Sequence, residues 1–294
     1  MYKSYDRFHP FVYLLYFIFV LTVIMLYQHP FFLLFSSISL VLLNIVIDQG
    51  KQLKKWLPMI IFITSLFFIL TPLINHRGNY ILFYLKNPIT LEAIIQGVIL
   101  SLTLFSIMVL FVAFNMIITA DKFLFLFSKW FPKWALLIML SMRFVPLLKR
   151  RLQEIIAVQK SRGLFLRDIP VKRRLKNGLL FLQILLTWSL EDGIQTADSM
   201  SARGYGIQKR SKYTPYQFYF TDLFTIIILT LFVIIAVFGW WLGDGVLSIL
   251  PILEPILLEG REWFYFAIFL LLISFPLISE GGETLLWRYW KRKI

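Results

Sequence analysis

The chain has 294 residues, of which 59% are hydrophobic, 18% are aromatic and 16% are charged. Soluble domains carry about 45–50% apolar and about 25% charged residues, so this composition excludes a water-soluble globule and a disordered chain. The chain contains no cysteine, which excludes a disulfide scaffold. Thirty Lys and Arg against sixteen Asp and Glu give a net charge of +14. The positions of these cations along the chain therefore carry information about topology and partners.

Six long apolar runs predict membrane-spanning helices, because about 20 mostly apolar residues cross a bilayer. Each run is expected to be helical, since backbone polar groups in lipid must be satisfied within the segment. Gln28-His29-Pro30 separates the first two runs and predicts a helical hairpin, because proline is poorly tolerated inside a helix. In chain order the runs are 11–27, 31–47, 57–74, 89–118, 218–241 and 262–278.

The first run is interpreted as an uncleaved span. It is too long for the apolar core of a typical signal peptide, and residues 26–29 lack a small-residue cleavage pattern.

Two further apolar stretches, 134–148 and 178–190, are too short to cross the bilayer. The first also contains Arg143, and an arginine costs about 2.5–3.5 kcal/mol at a membrane centre on insertion scales. Both stretches run directly into charged sequence. They are therefore predicted to be the half-buried starts of helices that leave the bilayer for the cytoplasm.

The cations divide unequally between the loops. With both termini placed in the cytoplasm, 27 of the 30 Lys and Arg lie on the cytoplasmic side and three on the outer side. This distribution follows the positive-inside rule and supports the layout with six spans. The outer segment 242–261 is mildly acidic.

The predicted spans contain no ionisable residue near their middle, where proton relays and ion pathways usually show themselves. Glu92 and Asp222 are expected in the first turns of their helices, where the helix dipole favours a carboxylate. Asn44, Gln96 and Asn115 are expected to hydrogen-bond between helices. The sequence contains no matched pair of spans broken by Gly or Pro, which is the pattern expected of an inverted-repeat transporter.

Signatures of catalysis and of resident cofactors are missing from the sequence. His9, His29 and His76 are isolated and predict no metal cluster. Gly50-Lys51 lacks the spaced glycine of a phosphate-binding loop, and no Gly-x-Ser-x-Gly elbow occurs. The chain is therefore predicted to be no enzyme and to hold neither a cofactor nor a metal.

A large basic segment separates the fourth and fifth spans. Residues 141–213 hold fifteen Lys and Arg against five acids, a net charge of +10. Apolar residues at helical spacing predict an amphipathic helix that ends at Ser161-Arg162-Gly163. A second helix is predicted from near Lys176 to Ala202-Arg203-Gly204. Nucleic-acid binding is disfavoured because interleaved aromatic residues are missing, and anionic lipid explains the cations of 172–174 more simply.

The second of these helices carries small residues four positions apart. Such a stripe allows close approach of another helix, although it is equally compatible with a bulky neighbour. Its members are Ser189, Gly193, Ala197 and Ser201.

Both helices end on a small residue, an arginine and a glycine. Glycine adopts the left-handed conformation that ends a helix, and the arginine beside it can reach carbonyls or the carboxylate of a partner. Two such triplets at matching helix ends favour partner docking over simple capping. The candidate docking residues are Ser161, Arg162, Gly163, Ala202, Arg203 and Gly204.

The sequence resembles the transmembrane T component of energy-coupling factor (ECF) transporters, the family that includes the cobalt-transport membrane proteins. The resemblance rests on three motifs and on the hairpin opening at His9-Pro10. It covers most of the chain in layout, whereas the specific motifs lie within 141–206. They are Ser141-Met142-Arg143-Phe144-Val145-Pro146, Gln159-Lys160-Ser161-Arg162-Gly163 and Ser201-Ala202-Arg203-Gly204-Tyr205-Gly206.

The resemblance implies two coupling helices whose triplets dock into two cytoplasmic ABC-type ATPase subunits. Arg162 and Arg203 would carry the docking, although the family's first triplet usually begins with Ala where this chain has Ser161. ATP and Mg²⁺ would bind in those partners and not in this chain. A membrane-embedded, substrate-binding S component would pack against the membrane face. ATP hydrolysis would then reorient that subunit and import a vitamin or a transition-metal ion.

The predicted fold is therefore an all-α polytopic membrane protein with about six transmembrane helices and two long amphipathic cytoplasmic helices. Its predicted parts are the N-terminal transmembrane helices (1–133), the coupling-helix region (134–212), and the C-terminal transmembrane helices with a basic tail (213–294). The predicted location is the cell membrane of a prokaryote.

Two other functions are possible for such a membrane protein, and both are disfavoured by the sequence. A self-contained permease or channel is disfavoured because charges are missing from the middle of the spans. A membrane-embedded enzyme acting on lipid would rely on Glu191, Asp192 and Arg203, and is disfavoured more strongly.

Overall fold

The computed structural model confirms an all-α polytopic membrane protein. It describes residues 8–75, 78, 80–85, 87–161, 171–207, 216–248, 257–258 and 260–291. Within these residues the elements are α1 (Pro10–Leu26), α2 (Pro30–Asp48), α3 (Lys51–Ile74), β1 (Ile81–Leu85), β2 (Asn87–Thr90), α4 (Leu91–Ile117), α5 (Ala120–Ser128), α6 (Pro132–Ser161), α7 (Val171–Ala202), α8 (Phe220–Trp241) and α9 (Glu262–Lys291).

Five helices in the described part of the chain are long and apolar enough to cross a membrane: α2, α3, α4, α8 and the first part of α9. The remaining predicted span, α1, is an apolar helix of 17 residues, at the lower limit for crossing a bilayer. Helix α9 continues to Lys291, well beyond the predicted end at residue 278.

The chain divides into two compact units. One comprises Met1–Lys122 with Tyr216–Ile294, and the other comprises Phe123–Pro215. The first unit is a bundle in which α2 packs on α3, α4 and α9, and α1 packs on α4, α8 and α9. Its most deeply buried large side chains are Tyr16, Ile24, Tyr27, Phe32, Leu33 and Phe269. The domain limits predicted from the sequence remain a prediction.

Matching caps begin α1 and α2. His9 precedes Pro10, and His29 precedes Pro30, which places each proline at the start of a helix, where its missing N–H costs nothing. Each imidazole Nδ1 accepts a hydrogen bond from the backbone N–H two residues later, at 3.2 Å. The predicted break between the first two spans is confirmed, and these two histidines act as helix caps.

Side chains donate to backbone carbonyls across the bundle. The Tyr16 hydroxyl donates to the Ile273 carbonyl, and the Tyr27 hydroxyl donates to the Ala236 carbonyl, each at 2.7 Å. Asn44 Nδ2 on α2 donates to the Val109 carbonyl on α4 at 3.1 Å. These bonds satisfy polar groups where water is excluded.

The interhelical bond predicted for Asn44 is therefore confirmed. Gln96 also bonds outside its own helix, since its Oε1 accepts from Asn75 Nδ2. The prediction was wrong for Asn115, whose side chain donates within α4 to the Phe111 carbonyl. An exposed amide one turn from a carbonyl of its own helix needs no second helix to satisfy it.

A short antiparallel hairpin precedes α4 and was not predicted. Strand β1 pairs with β2, with Ile81 opposite Thr90 and Leu85 opposite Asn87. Helix α4 consequently begins at Leu91, two residues after the start of the predicted run at residue 89. Thr90 caps the helix, because its hydroxyl accepts from the Ala93 N–H at 3.3 Å.

The two predicted first-turn acids both lie in first turns and are buried. Asp222 is only 1% exposed and accepts from the N–H of Tyr219 at 2.9 Å and from the N–H of His9 at 3.0 Å. Glu92 accepts from the Tyr80 N–H at 3.1 Å. Each carboxylate therefore joins the start of its helix to a preceding segment.

Helices α8 and α9 approach closely where Gly239 faces Tyr265. A Cβ placed on Gly239 would lie 2.5 Å from Tyr265 Cδ1. The missing side chain makes room for the ring, in the manner of small-residue packing between membrane helices.

We expect Gly239→Ala to lower the unfolding free energy by about 1–3 kcal/mol, because overpacking forces the ring or the helices apart. Thermal unfolding of the purified chain in detergent measures this loss. Gly178→Ala is the matched control, since a Cβ there meets nothing within 4 Å. Equal melting temperatures for both variants would contradict the close contact.

Candidate functional site

The candidate site consists of the ends of α6 and α7, both in the second compact unit. Helix α6 runs without a break from Pro132 to Ser161, although Pro146 lies inside it. Ser161 is exposed, and its hydroxyl donates to the Val158 carbonyl at 2.7 Å. The other residues of the first triplet, Arg162 and Gly163, lie outside the described residues.

Helix α7 ends as predicted at Ala202, but it begins at Val171, five residues before the predicted start near Lys176. Gly204 has φ +80°, in the left-handed region. Its N–H donates to the Ser201 carbonyl at 2.9 Å, and the Tyr205 N–H donates to the Met200 carbonyl at 3.0 Å. This pair of bonds is a Schellman motif, which satisfies the carbonyls left over at a helix end.

Arg203 lies directly before this glycine at the negative end of the helix dipole. Ser201, Ala202 and Arg203 are all exposed, so the second triplet forms an accessible tip. An exposed guanidinium offers five N–H donors in a planar fork suited to a carboxylate. Chemically, the tip can bind an acidic or carbonyl-lined groove. The docking role of the two triplets stays a prediction.

The stripe of small residues on α7 is only partly covered. Ser189 and Gly193 are half-buried, whereas Ala197 and Ser201 are exposed. A Cβ placed on Gly193 would meet nothing within 4 Å, so no described segment of this chain approaches it closely. Whether the stripe serves a close helix crossing or faces a bulky neighbour stays open.

A stripe of large apolar side chains on α7 was missed by the sequence reasoning. Its members lie three or four residues apart and are between 53% and 69% exposed. The signal was present in the spacing, but the prediction treated 178–190 only as an apolar stretch. We call this set the leucine stripe: Leu175, Leu179, Leu182, Leu186, Leu190 and Ile194.

The described residues contain no group of three or more His, Asp or Glu able to hold a metal ion. A concavity on the surface of α8 is lined by apolar and aromatic side chains of that helix alone: Val233, Ile234, Val237, Phe238, Trp240 and Trp241. Binding sites for small molecules usually combine such a lining with a few convergent polar groups, which this concavity lacks.

Comparison with known proteins gives one family. The family model of the cobalt transport protein (CbiQ) matches residues 4–214, which is more than two thirds of the chain. The match includes both triplets and the leucine stripe. No curated protein matches the chain.

We expect Gly204→Ala to destabilise the tip of α7 by about 1–2 kcal/mol, because an L-residue pays that cost in the left-handed conformation. Amide hydrogen exchange of residues 199–205 should become faster, and exchange in the middle of α7 should stay unchanged. Gly178→Ala again serves as control, because Gly178 lies within a helix in open space. Unchanged exchange at the tip would contradict a role for Gly204 in ending the helix.

Proposed function

The chain belongs to the cobalt transport protein family, the family of ECF transporter T components, and is a multi-pass membrane protein with a role in transport. From this premise we propose that it is the T component of an ECF-type importer. In this role it transmits ATP-driven motion from two cytoplasmic ABC-type ATPases to a membrane-embedded S component. ATP and Mg²⁺ bind in the ATPases, and this chain contributes no catalytic group.

The exposed end of α7 is the observation that carries this proposal. The Schellman motif at Gly204 holds Arg203 on a narrow tip flanked by Ala202. Such a tip fits a groove of a partner with acceptor groups at its base. In the sequence, the first triplet also consists of a small residue, an arginine and a glycine, and its first residue, Ser161, is the last residue of α6. This similarity favours two equivalent docking points and hence two ATPases.

The leucine stripe supports the proposed contact with the S component. Its exposed side chains cover about 28 Å along α7, given a rise of about 1.5 Å per residue. An exposed apolar surface of this size marks a contact with protein or membrane. We assign it to the S component, because a helix of that subunit would bring a matching apolar face.

The cargo is a vitamin or a transition-metal ion and is the substrate of the whole complex. The S component binds this substrate, and the motion that this chain transmits reorients the S component. The proposed location is the cell membrane of a prokaryote, with both termini and the charged halves of α6 and α7 in the cytoplasm. The 27 cations assigned to the cytoplasmic side support this orientation.

We expect Arg162→Glu combined with Arg203→Glu to abolish co-purification with the ATPase subunits, because the reversed charges meet grooves built for cations. The measurement is affinity purification of the tagged chain from its native host, with quantification of the bound ATPases. A loss of at least about 100-fold is expected for the double variant, since a buried charge pair costs several kcal/mol when one partner is reversed.

Arg150→Glu is the matched control for these charge reversals. Arg150 is an exposed arginine of α6 that lies away from the end of that helix. Binding of the ATPases should be retained in this variant. Undiminished binding in the double variant would refute the docking assignment.

We expect Leu182→Glu combined with Leu186→Glu to release the S component and to leave the ATPases bound, because two carboxylates would be buried in an apolar contact. The same purification measures both partners at once. Gln183→Glu with Thr187→Glu is the control, because these exposed neighbours lie outside the leucine stripe. Loss of the S component from both variants would assign the effect to charge alone.

A further inference from the structure

Helices α6 and α7 meet through a cation and an aromatic ring. The guanidinium carbon of Arg151 lies 4.6 Å from the centre of the Trp188 ring system. This distance is inside the limit of about 6 Å for a cation–π contact, and Trp is the strongest partner. Glu154, one turn further along α6, accepts from Arg151 Nη1 at 3.3 Å and so helps to orient the guanidinium.

Both residues lie where an apolar half of a helix gives way to a charged or polar half. Arg151 follows the apolar stretch 134–148, and Trp188 lies near the end of the apolar stretch 178–190. Arg151 precedes Ser161 by about 15 Å along α6, and Trp188 precedes Ala202 by about 21 Å along α7. The contact therefore lies between the candidate docking tips and the apolar halves of both helices.

The surroundings favour a stable contact. The Arg151 side chain is 41% exposed and Trp188 is 37% exposed, so water screens the pair only in part. Ile155 follows Arg151 by one turn and is buried, which places this face of α6 against protein. Trp188 is two residues after Leu186 and hence about 200° around the helix from it. The contact and the leucine stripe lie on opposite sides of α7.

We propose that Arg151 and Trp188 are positioning residues that fix α6 against α7 at this point. Apolar side chains can slide past one another, whereas a guanidinium over an indole ring sets both the register and the distance between two helices. A displacement of either tip is then carried to the other helix and to the leucine stripe. This transmission rests on the proposed function, whereas the fixed geometry of the two helices does not.

The chain contains no cysteine, which allows clean spin labelling. Cysteines introduced by Gln153→Cys on α6 and Gln195→Cys on α7 lie at exposed positions and carry the labels. Double electron–electron resonance on the full chain in nanodiscs then measures the distribution of distances between α6 and α7. We expect one narrow distribution for the labelled chain without further changes.

Arg151→Met and Trp188→Leu keep much of the bulk and remove the charge or the ring. We expect each to raise the population with separated helices about fivefold, the effect of losing a half-buried cation–π contact. Combining the two changes should add nothing further, as expected for a single shared interaction. Arg151→Lys and Trp188→Phe should retain most of the narrow distribution, because they keep a cation and a ring.

Arg150→Met is the matched control, since it removes a neighbouring exposed arginine and should leave the distribution unchanged. If Arg151→Met and Trp188→Leu give the same distribution as this control, the contact does not fix the helices and the proposal is wrong. If Arg151→Lys and Trp188→Phe broaden the distribution as much as Arg151→Met and Trp188→Leu, a cation over a ring does not hold the helices and the proposal is wrong.

A second measurement separates this proposal from the proposed function. The labelled chain is purified with its ATPases, and the distance is recorded before and after addition of ATP. If the chain without further changes binds no ATPase, the proposed function fails while the distances above still decide the contact. If ATP shifts the distance equally in this chain and in Arg151→Met, transmission through the contact is refuted.

Discussion

The structure depends on one constraint: backbone polar groups at helix ends must find partners where water is scarce. At the starts of α1, α2, α4 and α8 the chain meets it with a side chain placed beside the first turn. His9 and His29 accept from the first turns of α1 and α2, Thr90 caps α4, and Asp222 accepts from the residues that precede α8. Because an unsatisfied group in hydrocarbon costs several kcal/mol, these few side chains fix where each helix begins. The packing of the bundle then follows from helices whose limits are already set.

Between the helices, shape matters more than apolar character, because lipid is as apolar as the side chains it would replace. The bundle accordingly relies on a few specific contacts. Tyr16 and Tyr27 donate to carbonyls of α9 and α8, and Gly239 admits the ring of Tyr265. A second close contact between a glycine and a tyrosine ring occurs where Gly245, with φ +81°, lies against Tyr27. Tyrosine side chains thus act as hydrogen-bond donors and as rings that pack against glycines, which is one use of the aromatic content of 18%.

The sequence was sufficient for features that depend on local chemistry. Apolar runs predicted the membrane helices, His29-Pro30 predicted the break between α1 and α2, and Ala202-Arg203-Gly204 predicted the end of α7. Each of these features depends only on neighbouring residues. The strands β1 and β2 were missed because a short apolar run beside a proline has no period that separates it from a helix start. The partners of Gly239 and Arg151 lie 26 and 37 residues away, and only the folded chain brings such residues together.

Helix α7 unites the observations on which the proposed function depends. Its end carries an exposed arginine, one side contacts α6 through Trp188, and the opposite side carries the leucine stripe. A helix with this many charges is a poor membrane span, and its leucines are too exposed to form a core of the described unit. Apolar side chains left uncovered along about five turns mark a contact with protein or membrane. A scaffold that binds one subunit at its tips and another along its side requires this arrangement, whereas a self-sufficient permease has no use for it.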